Sequence, residues 1–275
     1  LCFSILYPFW DMLITSFSSP ADAMKLGFTL VPDWDSLTTD AYVTIFKEGR
    51  ILTGYTNAIF RSVVGTVLMV LVCTAAAYPL SKRHLPYRRG ILFYMVFTMY
   101  FSGGMIPTYL LIRNLGLIDS LWALILPSVA VVFNIILIRN YIMAVIDISL
   151  EEVAQIDGAN PLVIFWKIII PLSKPVLATV ALWSMVGHWN EWFQAMLYTS
   201  SPDKQVVQLM LRKLLIESSQ QDIQRFADMA GLKTIRSPES LKAAFLYLTI
   251  TPIIIVYPFL QKYFIRGIML GAVKG

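Results

Sequence analysis

Charge is what this sequence has least of. Only 14% of its 275 residues are Asp, Glu, Lys or Arg, where soluble domains carry about 25%. Hydrophobic residues make up 57%, and the mean hydropathy is +0.67. A soluble core of this size could not cover so much apolar surface, so the surrounding solvent is read as lipid. The residues of metal and catalytic chemistry are equally scarce. His84 and His188 are the two histidines, far apart, and no H-E-x-x-H occurs. A membrane metalloprotease therefore has no ligand set; no metal site and no catalytic residue are expected. Cys2 and Cys73 both lie in apolar runs and read as buried free thiols rather than a disulfide or metal pair. G-x-x-x-x-G-K-[ST] is missing, and "GLKT" at 231–234 resembles it only superficially. The chain thus has no phosphate loop of its own and is not expected to be an ATPase. No span has a small-residue-rich half mirrored in the other half, which leaves inverted-repeat secondary transport without support. The formal charge of +5 lacks the clustered cations and interleaved aromatics of a nucleic-acid groove. It reads as membrane-flanking charge. Leu1 already lies inside an apolar run, so the sequence is expected to start within a longer chain, and no targeting segment can be judged.

What the sequence does have is long apolar runs. Residues 62–81, 90–112, 120–138 and 243–261 contain no Asp, Glu, Lys, Arg or His, and each has about the length a helix needs to cross a bilayer. Residues 1–19 form a fifth candidate, interrupted by Asp11, and 175–200 a sixth, with His188, Asn190 and Glu191 in its middle. The expectation is one all-α membrane domain, residues 1–275, with spans at about 1–19, 59–81, 90–112, 120–140, 175–200 and 243–263. The connector "KRHLPYRR" (82–89) packs four Lys/Arg into eight residues and is expected on the cytoplasmic side. Both termini and the loop 141–175 then lie inside, and 20–56 and 201–242 outside.

That loop contains "EEVAQIDGANPLVIFWKIIIPLSKP" (151–175), oddly polar between apolar neighbours. "ISLEEVAQIDGANP" predicts a short helix, capped by Ser149, with Glu151 and Glu152 in its first turn. Gly158 stops it, being free to turn left-handed. Pro161 permits a second start, and Pro171 and Pro175 lead into the next span. Such an elbow either offers a knob to a soluble partner or lies as an amphipathic helix in the interface.

The same stretch resembles the cytoplasmic EAA motif of permeases from binding-protein-dependent ABC importers. Glu152, Ala154, Ile156, Asp157, Gly158, Ala159, Phe165, Ile168, Pro171, Leu172 and Pro175 fit it, and Val153 departs where Ala is usual. "FSGGMIPTYLLIRNLGLIDSLWALILP" (101–127), "WNEWFQAMLY" (189–198) and "YPFLQKYFIRGIMLGAVKG" (257–275) resemble the carbohydrate-uptake branch, nearest its Gram-positive oligosaccharide-type permeases. The resemblance implies the type I ABC importer permease fold with six transmembrane helices and a bacterial plasma-membrane location. It implies that Glu151, Glu152, Ala154, Asp157, Gly158 and Ala159 form a coupling helix seated in an ATPase subunit. It further implies a second homologous permease, two ATP-binding subunits holding ATP and Mg, and an extracellular solute-binding protein. No cofactor is expected in this chain itself. The ending Gly271, Ala272, Val273, Lys274 and Gly275, which would otherwise be dismissed as frayed, is expected by the same resemblance to reach the ATPase pair.

A polar cluster inside a span faces protein or water rather than lipid. Asn190 and Gln194 share a helical face with Glu191 beside it, and Trp189 and Trp192 flank them. These residues and Asn134 read either as the lining of a solute path or as interhelical hydrogen bonding. In 201–242, Val206, Leu209, Met210, Lys213 and Leu214 stand at helical spacing and predict an amphipathic helix. The solute implied by the resemblance is an oligosaccharide. A peptide, amino-acid derivative or osmolyte permease, and a non-transporting receptor or scaffold, are the alternatives.

Overall fold

The computed structural model describes residues 2–23, 31–48, 50–216 and 238–272. Among these residues the secondary structure is helical, with one isolated bridge between Ser18 and Leu37 and no strand. Val273, Lys274 and Gly275 lie outside the described residues; Gly271 and Ala272 end the helix Pro238–Ala272. Two helices, Ile51–Ser81 and Glu239–Val256 within Pro238–Ala272, are each long and apolar enough to cross a membrane. Three further pairs qualify only as bent spans. Arg88–Tyr100 and Met105–Asn114 meet at 109°, Leu121–Ser128 and Val132–Val145 at 47°, and Pro161–Leu172 and Lys174–Asn190 at 78°. Helix Cys2–Phe17 is apolar but shorter. At "SGGM" the chain breaks completely between Tyr100 and Met105. Gly103 and Gly104 stand at the corner, and the positive φ of Gly104 reverses the chain without a side-chain clash.

The residues divide into two compact units. The first comprises 1–59, 119–121 and 190–257. Helix Cys2–Phe17 is fastened to helix Asp40–Glu48 by the Tyr42 hydroxyl, which donates to Ser16 Oγ at 2.8 Å, and by the Phe17 and Tyr42 rings, 4.9 Å apart. Ser240 Oγ donates to the Ser18 carbonyl at 3.1 Å. The amphipathic helix predicted after 205 is present as Val207–Ile216, with Val207, Leu209, Met210 and Leu214 buried. Asn57 Nδ2 donates to the carbonyls of Asp203 and Gln205 at 2.8 and 2.9 Å, tying the start of that helix to Ile51–Ser81.

A loop clasp closes the first unit. Asp119 takes a positive φ of 58°, a conformation Asp tolerates better than most side chains. Its carboxylate accepts the backbone N–H groups of Ser200 and Ser201, both at 3.0 Å, and the Ser201 hydroxyl at 2.5 Å; Lys204 Nζ lies 3.3 Å away. These donors, the Ser201 hydroxyl first, hold the carboxyl well below its ordinary range. A group whose folded pKa is depressed contributes stability above its unfolded value near 4, and loses it as pH falls through the folded value. Asp119→Ala is therefore expected to destabilise the clasp by about 1–2 kcal/mol at neutral pH, with the difference from wild type shrinking below about pH 4. Hydrogen exchange of the 199–204 amides across pH measures it, and a difference independent of pH would contradict the assignment.

The second unit comprises 60–118, 122–189 and 258–275. Its core follows from spacing. Met69, Cys73, Ala77 and Leu80 recur every three or four residues along Ile51–Ser81, as do Ile135, Ile138, Ile142 and Ile146 in and just after Val132–Val145. Each set lies on one helical face. Ile164 and Ile169 complete the same cluster although they are five apart, a spacing that leaves the face of an ordinary helix. The backbone over Phe165–Ile169 widens to a π-helix, whose i to i+5 repeat returns both isoleucines to the core. A second seam joins Ile51–Ser81 to Lys174–Asn190. A Cβ on Gly65 would stand 2.5 Å from Nε2 and 2.8 Å from Cε1 of His188, whose ring is buried against it. Thr66 Oγ1 donates to Ser184 Oγ at 3.4 Å one turn away.

Candidate functional site: the 147–172 elbow

The elbow is built from local chemistry. Its first helix, Ile148–Ile156, is capped by Asp147, not by Ser149. The Asp147 carboxylate accepts the Ser149 N–H at 3.0 Å. Ser149 thus supplies the donor, and the helix starts two residues earlier than its position as a cap would require. That backbone hydrogen bond, with one from the Ser149 side chain, holds the exposed Asp147 carboxyl below its ordinary range. At the other end Gly158 takes φ +81°. Its N–H bonds to the Gln155 carbonyl at 3.0 Å and that of Ala159 to the Ala154 carbonyl at 2.9 Å. This pair of bonds is the Schellman arrangement, which requires a left-handed residue at the Gly158 position. Asn160 then caps the next helix through the Val163 N–H at 2.9 Å, with Pro161 in its first turn. Pro is suited to that place because it has no N–H to leave unpaired.

The six coupling residues read from the sequence part into two sets. Glu152, Asp157 and Gly158 are exposed. Ala154 and Ala159 are half-buried and pack on the core around Ile164 and Ile169. Glu151 is turned inward and only 5% exposed. Its carboxylate is ion-paired with Lys82 and accepts the Tyr78 hydroxyl at 3.0 Å. The Lys82 ammonium also lies 4.3 Å from the centre of the Tyr78 ring, within cation–π range, and that ring sits 5.7 Å from Phe165. Glu151 is therefore an anchor of the elbow, not part of its outer surface. The outer surface instead includes two apolar side chains absent from the coupling set, Val153 at 56% and Ile156 at 85% exposed. Ile156 stands where the motif has it, but exposure is a property of the fold and carries no mark in the sequence. A cleft of about 480 Å³ opens beside the elbow, bordered by Lys82, Arg83, Met143, Asp147 and Glu151.

The polar residues of the expected path are placed as follows. In the second unit, buried Asn134 donates Nδ2 to Met69 Sδ at 3.3 Å, and Trp189 is buried near the end of Lys174–Asn190. In the first unit, Asn190 is exposed, and Glu191 caps a short helix, Phe193–Tyr198, by accepting the N–H groups of Phe193 and Gln194 at 2.8 and 3.1 Å. The single span expected over 175–200 is thus interrupted at 191–192. The Trp192 ring carries the Arg212 guanidinium 3.5 Å from its centre, a contact the sequence did not announce. Arg61 donates Nε to the Leu124 carbonyl at 3.3 Å and Arg139 to that of Leu80 at 2.9 Å.

Known proteins share this organisation. The chain is 40% identical over 270 residues to the polygalacturonan/rhamnogalacturonan transport system permease protein YtcP of Bacillus subtilis, covering 98% of this chain and 92% of that one. It is 40% identical over 268 residues to protein LplC of the same organism, covering 98% and 89%. Among solved structures, a chain of a bacterial ABC transporter involved in the import of the acidic polysaccharide alginate superposes with a TM-score of 0.84 at 34% identity, covering 96% of this chain and 92% of that chain. Residues 49–270 match the family of binding-protein-dependent transport system inner membrane components. With a family match over most of its length and relatives at this identity, the chain belongs to that family of inner-membrane transport permeases.

Proposed function

We propose that this chain is the permease subunit of an ATP-driven, binding-protein-dependent importer of oligosaccharides, and that the 147–172 elbow docks into an ATPase subunit. The observation that carries the docking reading is the division of the elbow. Glu151, Ala154 and Ala159 hold it to the body, while Glu152, Val153, Ile156 and Asp157 stand exposed as a small apolar knob with acidic edges. Exposed apolar side chains framed by charge are the composition of a docking surface. In this reading the chain crosses the plasma membrane six times with both termini cytoplasmic. It has no ATP-binding motif and pairs with a second homologous permease. Two partner subunits bind ATP with Mg, and an extracellular protein delivers the solute. Closure of the ATPase pair moves the elbow, and the cavity between the two permeases exchanges inward for outward access. Asn190, Glu191 and Gln194, with Trp192, contribute to the solute path.

The solute class that fits best is a uronate-bearing oligosaccharide. Two of the similar proteins carry polygalacturonan/rhamnogalacturonan and alginate in their descriptions. Arg212, its guanidinium 3.5 Å from the centre of the Trp192 ring, carries a planar fork of N–H donors, a geometry suited to a carboxylate. The test is ATP hydrolysis by the assembled complex in lipid nanodiscs, stimulated by its solute-binding protein with oligogalacturonides or with neutral maltodextrins. The expected result is stimulation by the acidic sugars alone, lowered about tenfold by Asn190→Ala or Arg212→Gln. Equal stimulation by maltodextrins would contradict the solute class. Unchanged stimulation in both variants would remove these residues from the path.

A further inference from the structure

The contacts of Glu151 reach further than the anchoring of one helix. The stretch that ends helix Ile51–Ser81 meets it twice, through Tyr78 and through Lys82 four residues later, and the π-helical turn backs this contact through Phe165, whose ring meets that of Tyr78. The side chains of Glu151 and Lys82 are 7% and 17% exposed. Elsewhere on Ile148–Ile156 the polar side chains Ser149, Glu152 and Gln155 are exposed. A buried charge pair is a poor way to gain stability over apolar packing of the same volume, but it tolerates only one register of its partners. The pair thus fixes how Ile148–Ile156 is oriented about its own axis, and hence which side chains it presents outward.

We propose that Lys82, Tyr78 and Glu151 form a clamp that joins the elbow rigidly to helix Ile51–Ser81, making Glu151 a positioning residue for coupling, not a contact of the ATPase. The clamp carries displacement of the knob into the long helix. Without it, the knob still docks but turns on its own axis, and the force is dissipated in the elbow. This inference rests on the docking reading above, since it concerns what docking accomplishes.

The experiment uses the whole complex in nanodiscs with Glu151→Gln, Tyr78→Phe, the charge-reversed pair Lys82→Glu with Glu151→Lys, and Glu152→Lys. Three quantities are read: ATPase subunit retained on purification, stimulation of hydrolysis by the solute-binding protein with oligogalacturonides, and amide exchange over 148–159. Glu151→Gln is expected to keep its ATPase subunit and its unstimulated hydrolysis, to lose stimulation tenfold or more, and to exchange at least tenfold faster over 148–159. Tyr78→Phe should move the same way by a smaller factor, and the charge-reversed pair should recover at least half of the lost stimulation. Exchange and stimulation both within twofold of wild type in Glu151→Gln would overturn the clamp. So would loss of the ATPase subunit from that variant, because Glu151 would then belong to the interface. Retention of the subunit by Glu152→Lys would instead sink the docking reading, and exchange in Glu151→Gln would still decide whether the clamp exists.

Discussion

Replacing Lys82 with Met is expected to destabilise the second unit by roughly 3 kcal/mol, near the low end of the range for breaking a buried ion pair from one side. The reason lies with the partner left behind. Glu151 is buried on the body side of Ile148–Ile156, and once Lys82 is removed its carboxylate keeps only the Tyr78 hydroxyl as a described side-chain donor. The Lys82 side chain retains some contact with solvent, which places the loss low in that range. The Met side chain replaces most of the lysine's apolar stem, leaving the charge as the main difference. Replacing both partners, Lys82→Met with Glu151→Leu, is expected to recover most of the loss, because two apolar groups of similar volume remove the unpaired charge. Denaturant unfolding of the purified chain in one detergent, run as a double-mutant cycle, measures the coupling. Additive losses in the cycle would show that the pair contributes no mutual stabilisation.

The second large effect is at Gly65. A Leu there places its Cβ inside the space of the His188 ring, 2.5 Å from Nε2 and under 3 Å from two further ring atoms. Because His188 is buried on helix Lys174–Asn190, the ring cannot swing into open space, and the helices must separate. Overpacking of this kind costs about 1–3 kcal/mol, occasionally more. The expected outcome for Gly65→Leu is a loss near the top of that range, and largely restored stability when His188→Ala is added to make room. Thermal denaturation of the two variants beside wild type measures it. A Gly65→Leu chain as stable as wild type would mean that the seam is looser than described. Close approach of two helices across a glycine is also how packing is gained in lipid, where no hydrophobic force drives helices together.

The elbow was legible because its instructions are local. Gly158, Asn160 and Pro161 act on their own backbone or within three residues of it, and the helix end, the left-handed turn and the second start all stand where their chemistry places them. Even the one local error, Ser149 in place of Asp147 as the cap, was a displacement of two residues between two good capping side chains. The division of the coupling residues was not legible. Glu151 and Glu152 are adjacent and chemically alike, and it is Lys82, 69 residues away, with Tyr78, that marks one as buried and the other as exposed. The stacking of Arg212 on Trp192 is hidden in the same way. The runs of apolar residues announced lipid, but their continuity concealed the breaks. Residues 90–112 are free of charge throughout, yet the chain turns by 109° at the two glycines in their middle. In 161–172 the sequence offers Ile168, four residues after Ile164, as the ordinary helical core position, and only the π-helical backbone shows that Ile169 is the buried one.

Docking of the exposed knob into an ATPase subunit can be read in a pull-down. The chain is tagged and expressed with its second permease and ATPase subunits, extracted gently from membranes, and purified as wild type and as Glu152→Lys. Glu152 is exposed, and the ion pair of the clamp is made by its neighbour Glu151, so reversing the charge of Glu152 should leave the fold intact and oppose only a partner. The second permease is expected to co-purify with both forms, while the ATPase co-purifies with the wild type and is lost from the variant. Equal recovery of the ATPase with Glu152→Lys would contradict the docking, and the knob would not be where the energy of ATP enters this protein.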